Sequence, residues 1–228
     1  MNTIILAGGK GERLKPMTEN IPKPMVMVRN NPILWYILMQ LKYYKIKKIS
    51  LAVGYKASVI INYIRESFAD LNVSFSDEGD VDIIERIKSI VKKDSSNDIL
   101  ILYGDTISDV KIDELLDFSE KNPGHCILTV WPLQTNFGVV EINDKREVIA
   151  FKEKPKLDKF INIGYFVLRK ELFKYLNKYN NYADFLTFCG NNKLLKAFVH
   201  NGEHFTVNNI FELKQAEKNL NKINMNYE

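Results

Sequence analysis

Apolar residues in this chain recur at two spacings, and the spacing changes character near the middle. Short β-branched and aliphatic runs occur at Thr3–Ala7, Lys48–Val53, Asn72–Phe75 and Asp98–Tyr103. The first and last are nearly continuous and end at Gly8-Gly9 and Gly104-Asp105, the pattern of strands buried on both faces. Between and after them, Pro32–Tyr44, Ala57–Phe68, Ile83–Lys92 and Ile112–Lys121 read as helices, the first opened by a proline at a favoured position. Strand–helix alternation of this kind predicts a parallel sheet with helices on both faces. The second half instead offers strands at His125–Trp131, Gly138–Ile142, Glu147–Lys152 and Asn162–Leu168, with Asn143-Asp144-Lys145 as a hairpin turn. Helices at Lys170–Asn177 and Tyr182–Phe188, a strand near Lys196–His200 and a helix at Ile210–Leu220 complete the pattern. The expectation is one α/β domain over residues 1–223. It has a mostly parallel, mixed central sheet flanked by helices and a small antiparallel β element. The polar tail, Asn224–Glu228, is expected to fray.

Length and charge narrow the chemistry. A chain of 228 residues buries roughly 70% of its unfolded surface and needs no disulfide or metal staple. The net charge of +4 is too small and too dispersed to point to nucleic acid, but it suits a site for several phosphates. Cys126 and Cys189 lack metal-ligand spacing and read as core residues of a protein from a reducing compartment. No leader is expected ahead of the first strand, and no apolar run approaches the ~20 residues that span a bilayer. A cytoplasmic protein without a membrane partner is expected. His125, His200 and His204 show no catalytic spacing.

The chemical signal lies in residues 8–13, Gly-Gly-Lys-Gly-Glu-Arg, directly after the first strand. Glycines allow a sharp turn that brings backbone N–H groups against an anion. Arg13 can fork onto phosphate oxygens, and Lys10 adds a mobile charge. Lys23 follows within a stiff Pro22-Lys23-Pro24. The dinucleotide fingerprint fails because Leu14 stands where its third glycine belongs, and no Ser or Thr completes a Walker A loop.

The stretch LAGGKGERLKPMTENIPKPM resembles the signature of the sugar-1-phosphate nucleotidyltransferases, whose fold is Rossmann-like. Tyr103-Gly104-Asp105, Phe137-Gly138-Val139-Val140-Glu141, Phe151-Lys152-Glu153-Lys154-Pro155 and Asn162-Ile163-Gly164-Tyr165 extend the likeness in order. Within that family the chain most resembles the glucose-1-phosphate cytidylyltransferases. The likeness rests on KPMVMVRNNPILWYIL, LAVGYKASVIINYI, LYGDTISDVKI and the segment from Asp77-Glu78-Gly79 to Arg86-Ile87-Lys88. Ile84-Glu85 stands where that family carries glycines, and Leu133-Gln134-Thr135-Asn136 replaces its Pro-Pro-x-Arg.

The resemblance implies transfer of CMP from CTP to a sugar 1-phosphate, with Mg²⁺ as cofactor. Leu6, Ala7, Gly8, Gly9, Lys10, Gly11, Gly79, Arg86 and Gly104 would form the nucleotide site. Arg13 and Lys23 would clamp the triphosphate, and Asp105 would bind the metal together with Asn208, which stands at the family's late aspartate. Gly138, Glu153, Lys154, Asn162 and Gly164 would receive the acceptor, with the two glycines leaving room for a ring. Arg86 and Lys88 fit either a nucleotide contact or a solvated helix face. Three alternatives stay open: a non-sugar phosphate monoester such as phosphocholine as acceptor, another NTP as donor, or a catalytically weak nucleotide-binding module. A homo-oligomer also stays open.

Overall fold

The computed structural model describes residues 1–94, 97–135 and 137–223. β1 (Asn2–Leu6) leads through a loop to a short ribbon of β2 (Met27–Val28) and β3 (Asn31–Pro32), then α1 (Ile33–Tyr43). β4 (Ile49–Val53), α2 (Ala57–Ser67), β5 (Val73–Asp77), α3 (Ile83–Lys93), β6 (Ile99–Tyr103), β7 (Thr106–Ser108) and α4 (Ile112–Glu120) follow. The second half contains β8 (Cys126–Gln134), β9 (Val139–Ile142), β10 (Val148–Lys152), β11 (Lys156–Leu168), α5 (Phe173–Leu176) and α6 (Tyr182–Asn191). β12 (Leu195–Val199), β13 (His204–Thr206) and α7 (Ile210–Asn219) complete it.

Seven strands form the central sheet in the order β12-β8-β11-β6-β1-β4-β5. Every neighbouring pair is parallel except the two that involve β11, which runs against β6 and β8. The mixed, mostly parallel sheet therefore agrees with the sequence pattern. Its apolar runs are continuous because both faces are covered. Ile5, Leu51, Leu100 and Leu102 pack with Leu34, Ile37 and Leu41 of α1 and Ile60 of α2. Their alternate neighbours Ile4, Ala52, Ile99 and Ile101 pack on the opposite face with Ile84 and Ile87 of α3 and Phe185 of α6. Burying side chains of this size contributes roughly 1.5–3 kcal/mol each. Cys126 and Cys189 lie in that second core as free thiols. Burial pushes them up to about 12 and about 11, so neither is a nucleophile at neutral pH.

The departures from the sequence pattern are long-range in origin. β11 begins at Lys156, well before Asn162, because its polar first half pairs with the far end of β8 (Lys156 opposite Gln134, Phe160 opposite Pro132). Phe160 is consequently exposed rather than part of the core. The helix expected from Lys170 is a 3-10 turn followed by the single turn of α5. β13 has only three residues and exists by pairing with β7. The β9–β10 hairpin forms as expected, with Asn143 Oδ1 accepting from the amides of Lys145 and Glu147 at 3.0 Å each. The expected frayed tail lies outside the described residues.

One contact fixes the top of the sheet. The Gly104 amide donates to the Leu6 carbonyl at 3.0 Å. A Cβ on Gly104 would stand 2.6 Å from that oxygen, which is backbone and has no rotamer to yield. Gly104→Ala is expected to lower stability by about 1–3 kcal/mol, as overpacking does. A urea denaturation midpoint equal to that of the unaltered chain would show that the strand ends relax freely.

Candidate active site

The carboxyl ends of β1, β4, β5 and β6 form one edge of the sheet, the usual ligand side of an open α/β sheet. After β1 the chain turns through Gly8–Gly11. Gly11 takes φ +65°, and a Cβ there would stand 2.9 Å from Lys23 Cβ. Thr18 Oγ1 donates to the Gly11 carbonyl at 2.8 Å. The glycine loop and the Pro-Lys-Pro segment therefore pack directly on each other, which fixes where Lys23 can reach.

It reaches Asp105. Lys23 Nζ lies 2.5 Å from Asp105 Oδ2 and 2.8 Å from Asn208 Oδ1. Arg13 Nη2 donates to the same Asn208 oxygen at 3.2 Å. Asp105 stands just past β6 because Gly104 is held against Leu6. Asn208 comes from the far end of the chain, placed by β13 pairing with β7 and by the Val207 amide donating to the Asp105 carbonyl at 3.0 Å. Its own amide donates to Glu212 Oε2 at 2.8 Å, and Asn209 caps α7 through the Glu212 amide at 2.9 Å. Asn209 followed three residues later by Glu212 is a capping-box spacing that the sequence displays. Arg13, Lys23, Asp105 and Asn208 are thus brought together as expected.

Two cavities meet at Asp105 and Tyr103. The first, of about 280 Å³, is lined by Leu6, Ala7, Gly8, Gly9, Lys23, Arg86 and Gly104, and by Asp80, which the sequence reading missed. Lys10, Gly11, Arg13 and Gly79 lie outside this lining. Lys10 Nζ instead spans to Asp80 at 2.5 Å, a contact that raises the Lys10 ammonium pKa and lowers that of the Asp80 carboxyl. The second cavity, of about 590 Å³, is lined by Trp131, Gln134, Asn162, His204, Asn208 and Glu212 among others. The rings of Trp131 and His204 are tilted, with centroids 5.5 Å apart. Burial, and secondarily the nearby His200, push the His204 imidazole down to about 4, so it is neutral at physiological pH. His200 is buried, with Nε2 3.0 Å from Asp109 Oδ1.

Several sequence expectations change in detail. Arg86 is neither on a solvated face nor pointed outward. It is 5% exposed and donates to backbone carbonyls at Val53, Gly79 and Gly8. Lys88 donates to Glu85 and to the Tyr179 carbonyl, away from the first cavity. The space beside Gly164 is filled by the Tyr103 ring, since a Cβ would stand 2.4 Å from its Cγ. The space beside Gly138 is taken by the Phe151 ring at 2.7 Å. Both glycines accommodate aromatic side chains of this chain rather than line a cavity. Asn162 does line the second cavity, donating to Tyr103 OH at 3.2 Å and accepting from the Gly164 amide at 2.9 Å. Glu153 and Lys154 lie outside both cavities, mostly exposed, with their charged atoms 3.9 Å apart. Asn136 falls outside the described residues.

The donor set bears on a metal. Asp105 Oδ2 and Asn208 Oδ1 converge on one ammonium, so the two oxygens already face a single cation position. Mg²⁺ commonly takes one or two protein oxygens and completes its shell with water and substrate phosphates. The pair fits that demand. Among the described residues no cluster of three His, Cys, Asp or Glu side chains offers an all-protein cage.

Comparison with known proteins agrees with this geometry. The nucleotidyl transferase family profile matches residues 2–210. A bifunctional protein GlmU of Methanocaldococcus jannaschii is 32% identical over 187 residues, 78% of this chain and 42% of its own length. The chain thus spans about two fifths of that relative. A D-glycero-alpha-D-manno-heptose 1-phosphate guanylyltransferase of Campylobacter jejuni is 33% identical over 76% of this chain and 78% of its own. A glucose-1-phosphate cytidylyltransferase of Salmonella typhimurium is 33% identical over 74% and 75%. The crystal structure of HddC from Yersinia pseudotuberculosis shares the fold, with a TM-score of 0.75 at 22% identity over 96% of this chain and 99% of that one. No helix among the described residues is long and apolar enough to cross a membrane. A profile match over nearly the whole chain, on a sheet edge that gathers the signature residues, shows that this chain belongs to the nucleotidyl transferase family.

Proposed function

We propose that the chain transfers CMP from CTP to a sugar 1-phosphate, releasing pyrophosphate. The observation that carries this reading is the convergence of Arg13, Lys23, Asp105 and Asn208 where two cavities meet. A donor nucleotide in the first cavity and an acceptor in the second would bring their phosphates together at Asp105. The acceptor phosphate oxygen attacks the α-phosphorus. A new P–O bond forms there, the bond to the β-phosphate breaks, and pyrophosphate leaves with the electron pair.

The nucleophile is already an anion, so no general base is required. The neutral imidazole of His204 stands beside the acceptor cavity and has no proton to remove. The barrier is repulsion among anions, and the residues answer it with charge and position. Arg13 and Lys23 neutralise the triphosphate and the departing pyrophosphate. Lys23 now satisfies Asp105, and on arrival of the triphosphate it exchanges that carboxylate for phosphate oxygens. Asp105 and Asn208 would hold Mg²⁺, which when bound supplies further neutralisation of the phosphates. In the second cavity the amides of Gln134 and Asn162 offer both donors and acceptors to hydroxyl groups beside the Trp131 ring. That mixture supports a sugar over an acceptor without hydroxyls. The Asp77–Lys88 segment supports cytidine, as does the Salmonella relative.

In a matrix of four NTPs against sugar 1-phosphates and phosphocholine with Mg²⁺, CTP with a hexose 1-phosphate should release pyrophosphate fastest. Preference for GTP would replace the base, and preference for phosphocholine would replace the acceptor. Lys23→Ala and Asp105→Ala should fold yet each lose at least ~100-fold in turnover, the usual effect of deleting one transition-state contact. Near-normal turnover in either removes that residue from the mechanism.

A further inference from the structure

Arg86 lies in the second turn of α3, 5% exposed, and its donors go to backbone carbonyls rather than to a carboxylate. Nη1 lies 2.5 Å from the Val53 oxygen, and Nη2 lies 2.6 Å from the Gly79 oxygen and 3.4 Å from the Gly8 oxygen. Those carbonyls belong to the last residue of β4 and to the loops just past β5 and β1, three strands that are neighbours in the sheet. The chain keeps space clear for this guanidinium. A Cβ on Gly8 would stand 2.1 Å from Nη1, and one on Gly54 2.7 Å from it.

The Gly8 carbonyl is held inward by two donors, Arg86 and the Tyr55 amide at 3.3 Å. In a planar trans peptide the carbonyl and the next amide point in opposite directions. Turning the Gly8 oxygen toward the sheet therefore turns the Gly9 N–H away from it. Gly8 and Gly9 both line the first cavity. We infer that Arg86 is a positioning residue: it acts through the Gly8–Gly9 peptide to aim an amide at the donor's phosphates, and ties that loop to the Gly79 loop on the cavity's other side. This rests on the reaction proposed above and adds a residue that need not touch the reacting atoms. The planar fork matters because its donors sit on separate nitrogens held apart in one plane, so it spans carbonyls of different loops, whereas the three donors of lysine share one atom and one position.

The test uses the full chain and two ligands, CTP and inorganic tripolyphosphate, with affinities measured by calorimetry and folding monitored by circular dichroism. Arg86→Met should weaken both ligands by about tenfold or more, the scale of a lost hydrogen bond to a charged group. The ranking of the four NTPs should not change. Arg86→Lys should fail to restore tripolyphosphate binding. Gly8→Ala provides the independent variant should Arg86→Met not fold. Gly8 is not among the glycines at positive φ, so the added methyl meets chiefly the guanidinium tip and should reproduce the loss. Unchanged tripolyphosphate affinity in Gly8→Ala or in a folded Arg86→Met overturns the proposal. So do full rescue by lysine, a changed NTP ranking with tripolyphosphate binding retained, and failure of the unaltered chain to bind tripolyphosphate. Absence of pyrophosphate release by the unaltered chain with every acceptor removes the proposed reaction instead, because tripolyphosphate binding is read without turnover.

Discussion

The close approach of Gly104 to the Leu6 carbonyl organises this molecule. β1 and β6 are adjacent and parallel, so their carboxyl ends deliver their loops to the same place. One loop carries the glycine turn and the other a carboxylate, Asp105. Without a Cβ on Gly104 the two strand ends can hydrogen-bond, and Asp105 emerges within reach of Lys23. Every further element of the site is arranged about that junction.

The charge pattern there is uneven. Two cations, Arg13 and Lys23, face one carboxylate, Asp105, and the neutral carbonyl of Asn208. An aspartate in place of Asn208 would cancel more of that charge within the chain itself. With Asn208 neutral the cluster lacks the further carboxylate an aspartate would bring, and the Glu212 carboxylate lies on the Asn208 backbone amide instead. The position of Asn208 is set by a three-residue strand and by the capping carboxylate of Glu212, so a small element near the C-terminus governs an electrostatic centre built mainly from the N-terminal half.

Aromatic packing bounds the second cavity and fills two glycine notches. Tyr103 fills the notch at Gly164 and receives a hydrogen bond from Asn162, so this ring forms the wall between the two cavities. Phe151 fills the notch at Gly138 in the same way. A glycine inside a strand often marks the close approach of another group. Here that group is in each case a ring from the chain itself.

The order of the main strands and helices, the burial of β1 and β6, the Asn143 turn and the glycine turn after β1 were legible in the sequence. Each rests on short-range rules: side-chain periodicity, turn chemistry, and glycine followed by fixed charge. The resemblance also placed Arg13, Lys23, Asp105 and Asn208 in one site. The tertiary structure alone decided what these residues touch, since Lys23 is 82 positions from Asp105 and 185 from Asn208. It alone showed that Arg86 faces inward, because helical spacing does not say which carbonyls lie beneath a helix. It also drew β11 back to Lys156 and created β13, because strand pairing depends on a partner distant in sequence and local propensity carries no record of that partner.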